Sequence, residues 1–158
     1  MLVMRSALLL LLASAALAQT PSPKSAPKAA APTFQTTGTL LQVMRGIMLP
    51  NANVVFDSGN APPKDDKGWL AAQNAALTVA EAGNLLMLGN RAQGRPDWNQ
   101  LAHGVIAAAQ KTYKAALAKN ADALLDAGGD LTDACDACHK KYRDPQREAA
   151  EKAKAKQK

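Results

Sequence analysis

Aromatic side chains make up only 4% of this 158-residue sequence, and it carries just two cysteines and two histidines. A structural zinc site takes four ligands, so it would need every Cys and His in the chain, and the periodicity around His103 sets that residue on an outward face. No aromatic-plus-basic recognition module is present, which removes nucleic acid from the expected partners. No stretch reaches the roughly 18–20 apolar residues that spanning a bilayer needs, so no stable membrane insertion is expected. Nor does any segment alternate with period two over a useful length. Apolar residues recur instead at three and four, which predicts an all-helical domain.

What is present begins with a leader. Arg5, the apolar run Ser6–Leu12 and the small-x-small site Ala16-Leu17-Ala18 give residues 1–18 the layout of a secretory signal peptide, cleaved after Ala18, so the mature chain is expected in the periplasm. No cysteine lies near the cleavage site to carry a lipid. Residues 19–38 hold Pro21, Pro23, Pro27 and Pro32 among Ser, Thr, Ala and Lys and read as a flexible linker. Residues 39–143 are the size of one small domain. Residues 144–158 form a basic tail with Lys152, Lys154, Lys156 and Lys158, expected to be solvated and disordered. The formal net charge is +6. Its excess sits largely in linker and tail.

Four helices are predicted in the domain. The first covers about Thr39 to Asp57 with Leu40, Leu41, Met44, Ile47, Met48, Val54 and Val55 as its apolar residues, kinked or restarted at Pro50. Ser58 to Pro63 is a loop. The second follows an aspartate N-cap at Asp65 or Asp66 and runs from about Lys67 to Leu88, with Trp69, Ala72, Ala76, Val79, Gly83 and Leu86 on one stripe. Asp97 caps a third from Trp98 to about Lys119, whose stripe is Ala102, Val105, Ala109, Tyr113 and Ala116. Asn120 caps the fourth, which reaches about Arg143. Short connections between amphipathic helices predict an antiparallel four-helix bundle, with a site between facing helices.

The fourth helix carries the sharpest pattern. Leu124, Gly128, Leu131, Cys135, Cys138 and Tyr142 form a single inward seam. Gly128 and Gly129 imply either close approach of a neighbouring helix or a break between two shorter ones. Cys135-Asp136-Ala137-Cys138-His139 on that seam is the c-type haem attachment pattern. Two thiols add across the two vinyl groups on one side of the porphyrin, and the next residue sets an imidazole beneath the iron. One covalent haem c on the last helix is therefore expected, with His139 as proximal ligand. Three other readings use the same residues. A thioredoxin-like dithiol needs a strand before its CxxC, zinc lacks ligands, and a disulfide across CxxC would strain a regular helix.

The opposite iron face decides between carrying electrons and binding a small ligand. Met44, central to the apolar face of the first helix, is the first candidate for a sixth ligand; Met48 and an open face are the alternatives, and methionines at helical spacing also fill cores. Arg143, one turn after His139, is placed to reach a haem propionate or line the proximal side, or else to sit in solvent at a helix end. Tyr142 belongs to the core, and Trp69 and Trp98, each at a helix start, pack helix ends, with haem contact as the lesser reading.

The motif Cys135 to His139 with Lys140-Lys141-Tyr142-Arg143 after it, in the last helix of an exported bundle, resembles the cytochrome c′ family over about residues 39–143. The resemblance implies a periplasmic four-helix bundle, often a homodimer, holding haem through Cys135, Cys138 and His139. Arg143 would stand beside the haem, and the distal face would be either open or closed by a methionine of helix one, here Met44. Where many members carry an arginine one turn before the distal residue, this chain has Leu40, and Arg45 follows Met44 instead. The implied function is electron transfer with unidentified redox partner proteins, not enzymatic catalysis. A five-coordinate haem protein binding nitric oxide or carbon monoxide is the alternative, and a haem-free helical interaction protein is a third class.

Overall fold

The computed structural model describes residues 33–92 and 94–157; the expected leader, its cleavage site and the linker up to residue 32 lie outside them. The described residues contain helices and no strand. Helix α1 (Leu40–Val43) opens with a capping box, in which the Thr39 hydroxyl accepts from the Gln42 N–H at 3.3 Å and the Gln42 amide oxygen accepts from the Thr39 N–H at 2.9 Å. A π turn over Met44–Met48 follows, and α2 (Leu49–Asn60) continues the same rod.

The disturbance expected at Pro50 takes the form of that π turn. A proline inside a helix clashes with the carbonyl four residues back, here that of Gly46, and widening the preceding turn relieves the clash. The Leu49 N–H accordingly donates to the Met44 carbonyl five residues back, and the Asn51 side-chain amide donates to the Ile47 carbonyl at 2.8 Å. The extra residue in this turn also rotates the apolar face. Val43, Met48, Ala52 and Val55 are buried, while Leu41 and Val54, two of the apolar residues that mark this helix in the sequence, are exposed. Ser58, Gly59 and Asn60, expected in a loop, belong to α2. Gly59 is buried, and an added Cβ there would sit 3.5 Å from Leu125 Cα.

Helix α3 (Asp66–Met87) starts from Asp65, whose carboxylate accepts from the Gly68 N–H at 2.7 Å. All six residues of its predicted stripe are buried. Helix α4 (Trp98–Leu117) follows Asp97, but that carboxylate does not cap it; it is turned toward the last helix instead. Asn120 caps α5 (Ala121–Cys138), accepting from the Ala123 N–H at 3.0 Å. A second π turn, His139–Arg143, leads into α6 (Asp144–Ala155). The last helical rod therefore runs past Arg143, through residues expected to form a disordered tail. Alanine, lysine and glutamate favour helix there, and Arg147–Glu151 and Glu148–Lys152 pair one turn apart, although α6 buries nothing.

Helices α2, α3, α4 and α5 close a ring in which each touches its two neighbours. Helices α3 and α4 run antiparallel: Gln73 donates to the Ala116 carbonyl at 3.3 Å at one end, and the Trp98 indole donates to the Leu86 carbonyl at 2.7 Å at the other. Between those ends Gly83 lets the helices meet, since a Cβ there would lie 2.4 Å from Ile106 Cγ1. Helices α4 and α5 are also antiparallel. The Thr112 hydroxyl reaches the Ala127 carbonyl at 3.2 Å, and Asp97 meets Tyr142 beyond the far end of α5. This is a four-helix bundle with a core built mainly of alanine, closed at one end by Trp69, Ala72, Ala115, Ala116 and Leu124. Gly128 and Gly129 answer to neither expectation: α5 is unbroken, and a Cβ at either would meet nothing within 4 Å.

Candidate functional site

The inward seam of α5 delivers its sulfur atoms to one place. Leu124, Gly128, Leu131 and Cys138 are buried, and Cys135 is half-buried. Both cysteines are free thiols. They line, with His139, an apolar cavity of about 40 Å³ completed by Met44 and Met48 from the first π turn, Leu86 from α3, and Trp98, Ala102 and Val105 from α4. Five residues singled out in the sequence, Cys135, Cys138, His139, Met44 and Met48, thus converge on one cavity from the first and last helical rods, which are neighbours in the ring. Trp98 joins them at the start of α4, so it lines the candidate site as well as packing a helix end. Trp69 packs the other end of the bundle, and His103 is exposed on α4.

Both walls of the cavity are made in the same way. Met44 opens the first π turn and Pro50 follows six residues on; His139 opens the second and Pro145 follows six residues on. In each case the carbonyl of the opening residue accepts from the N–H five residues later, at Leu49 and at Asp144. Widened turns of this kind re-aim side chains out of strict α register and recur at functional sites. The local signal for both is a proline interrupting a helical pattern: Pro50 implies a kink or restart, and Pro145 lies beyond the expected end of the fourth helix near Arg143.

Burial pushes the Cys135 thiol up to about 11, with the neighbouring Cys138 and Asp136 adding to the effect. Cys138 is raised as well, by burial first and then by Asp97. Dithiols that exchange disulfides work through a thiolate with a lowered pKa, so this environment is the reverse of a thioredoxin-like one. Burial, and then the Arg143 cation, lower His139, which favours the neutral imidazole that a metal requires.

Arg143 reaches His139 directly, its guanidinium 2.9 Å from Nδ1, and its Nε pairs with Asp144 at 2.7 Å. Since a guanidinium only donates, Nδ1 holds the lone pair in this arrangement and Nε2 the proton. Offering Nε2 to a metal requires the proton to move to Nδ1 and Arg143 to turn aside. Arg143 is exposed and outside the cavity lining, and this contact with His139 is one the sequence does not signal.

A second group of residues, not singled out as site residues, braces the edge of the cavity. The Asp97 carboxylate accepts from Lys141 Nζ at 2.6 Å and from the Tyr142 hydroxyl in a short hydrogen bond, tying the start of α4 to the second π turn. These two hydrogen bonds hold Asp97 below the usual carboxylate range, and the same carboxylate raises Tyr142. Tyr142 meets Trp98 edge-on at 5.4 Å, and the Arg95 guanidinium lies 4.9 Å from the Trp98 ring centroid. The motif residues are thereby pinned to α4 from outside while the cavity stays apolar within.

The donor set suits a covalent haem: two neutral thiols one helical turn apart, one buried and one half-buried, an adjacent neutral imidazole and two thioethers in the same lining. Volume does not yet suit it. A cavity of about 40 Å³ is far below the roughly 300 Å³ at which ligand pockets begin, so seating a porphyrin requires the walls to part. Met44 and Met48, each with three rotatable bonds, are the side chains best able to give way. Among the described residues no three His, Cys, Asp or Glu side chains gather to hold a metal on their own. No known protein family, no curated protein and no solved structure matches this chain.

Proposed function

We propose that the chain is an exported, periplasmic mono-haem c-type cytochrome of the cytochrome c′ kind, carrying electrons through a haem held by Cys135, Cys138 and His139 and closed on its far face by Met44. The observation that carries this reading is the shared cavity: residues of the attachment motif and the two methionines of the first π turn line the same apolar space. When bound, the haem supplies a one-electron iron couple, and a thioether opposite the imidazole favours the reduced metal. The chain's own part is positional. Cys135 and Cys138 would anchor the haem, His139 at the start of the second π turn would supply its nitrogen ligand, and Leu86, Trp98, Ala102 and Val105 would exclude water from the site. The Asp97, Lys141 and Tyr142 contacts keep the motif's helix registered against α4.

The five-coordinate alternative has support of its own. The Trp98 indole N–H is already committed to the Leu86 carbonyl, so the lining offers no free side-chain donor opposite His139. An apolar pocket of that kind favours nitric oxide or carbon monoxide over ligands that need a hydrogen bond.

The test is expression with its leader in a host that matures c-type cytochromes. Haem should stay on the chain through a denaturing gel, and Cys135→Ser and Cys138→Ser should each leave only one thioether. Haem that leaves the wild-type chain on denaturation overturns the proposal. Low-spin ferrous spectra support methionine closure; a high-spin spectrum that converts on adding carbon monoxide selects the alternative.

A further inference from the structure

We propose that a second cavity, beside Arg91, binds a small organic carboxylate with a short apolar tail. Arg91 is only 7% exposed. Its guanidinium donates to the Leu85 carbonyl and to the Gly38 carbonyl, each at 2.6 Å, and its buried Nε has no partner. No carboxylate among the described residues pairs with it. A guanidinium has five N–H donors, so most of its hydrogen-bonding capacity and all of its charge await an anion. A buried cation answered only by carbonyl dipoles is an unfavourable arrangement that a bound anion corrects.

The surroundings define that anion. Arg91 lines a cavity of about 300 Å³, at the small end of ligand-pocket sizes. Thr36, Thr37 and Gln42 give it a polar side without charge, and Ile47, Leu85 and Leu88 an apolar one; no acidic residue lines it. A planar carboxylate matches the guanidinium fork, and a tail of a few carbons matches the apolar side. An inorganic oxyanion would leave that side facing charge. The cavity shares no lining residue with the one between Met44 and His139, so this site stands or falls independently of haem.

The experiment is an NMR titration of the full mature chain labelled at arginine, following the Arg91 Nε–H signal at constant ionic strength. Sodium butyrate should shift it saturably, while butylammonium chloride should not and inorganic phosphate should bind at least tenfold more weakly. Arg91→Met, read by calorimetry because it removes the reporting signal, should bind no butyrate, but that variant also loses two structural hydrogen bonds. Gln42→Glu is the complementary variant. It keeps a residue able to close the capping box with Thr39 and sets a carboxylate in the cavity wall. It should weaken butyrate at least tenfold while leaving the chain folded. Absence of a saturable butyrate shift overturns the site, phosphate binding as tightly as butyrate overturns the carboxylate assignment, and undiminished butyrate binding in Gln42→Glu shows that the ligand sits elsewhere.

Discussion

Replacing Met48 and Met44 separately by alanine should separate packing from ligation. Met48 is 5% exposed and belongs to the main core cluster, whereas Met44 is half-buried at its margin. Losing the Met48 side chain removes about 2 kcal/mol of apolar burial. It also opens a void continuous with the cavity of about 40 Å³, where the walls have little to collapse onto, adding about 1–2 kcal/mol. Met48→Ala should therefore cost about 3–4 kcal/mol, within the range measured for buried Met or Leu truncations. Met44→Ala should cost about 1 kcal/mol, since only part of that side chain leaves water. Ligation should follow the opposite order. In haem-loaded protein, Met44→Ala should convert a low-spin ferrous spectrum to high-spin, and Met48→Ala should leave it low-spin. Urea denaturation gives the first quantity and visible absorption the second. A high-spin spectrum in Met48→Ala with an unchanged one in Met44→Ala would refute the assignment of ligand and packer.

Three further outcomes follow from the same geometry. Gly128→Ala and Gly129→Ala should each stabilise the chain by about 1 kcal/mol, because the added methyl meets nothing and helix propensity improves; Gly83→Ala should destabilise it by about 1–3 kcal/mol through the clash with Ile106, both read by thermal melting. The Asp97 carboxyl is held low by Lys141 and Tyr142, so its contribution is present above the ordinary carboxylate range and lost as pH falls through the depressed value. Asp97→Asn should flatten that part of the acid limb of a melting-temperature profile, and an unaltered limb would count against the clamp. In folded chain lacking haem, confirmed by circular dichroism, Cys135 should resist iodoacetamide at neutral pH and react only as pH nears its value of about 11. Rapid alkylation at pH 7 would instead mark a reactive dithiol.

Much of the arrangement is legible in the chain itself. Alternation at three and four marks α3, α4 and α5, because a residue that must face the core recurs with the helical turn whatever its neighbours are. The caps at Thr39, Asp65 and Asn120 are local chemistry, in which a short polar side chain satisfies N–H groups a few positions away. The Cys135–His139 motif is likewise local, since its spacing and its place on the α5 seam lie within one helix.

Other features depended on what the chain meets in space. The phase of the first helix changes at the Met44 π turn, so Leu41 and Val54 point outward and Val43 and Ala52 inward; a pattern read with an unbroken period cannot show the extra residue. Asp97 has the type and position of a cap, yet Lys141 and Tyr142, distant in sequence, offer charge and hydrogen bonds that outweigh capping. Arg91 carries no sequence mark of burial. The sequence alone therefore determined α3, α4 and α5, the seam and the candidate attachment residues, each a property of neighbours along the chain. Tertiary structure decided that Met44 and Met48 share a cavity with Cys135, Cys138 and His139, because only the closing of the ring brings π turns ninety residues apart to the same space.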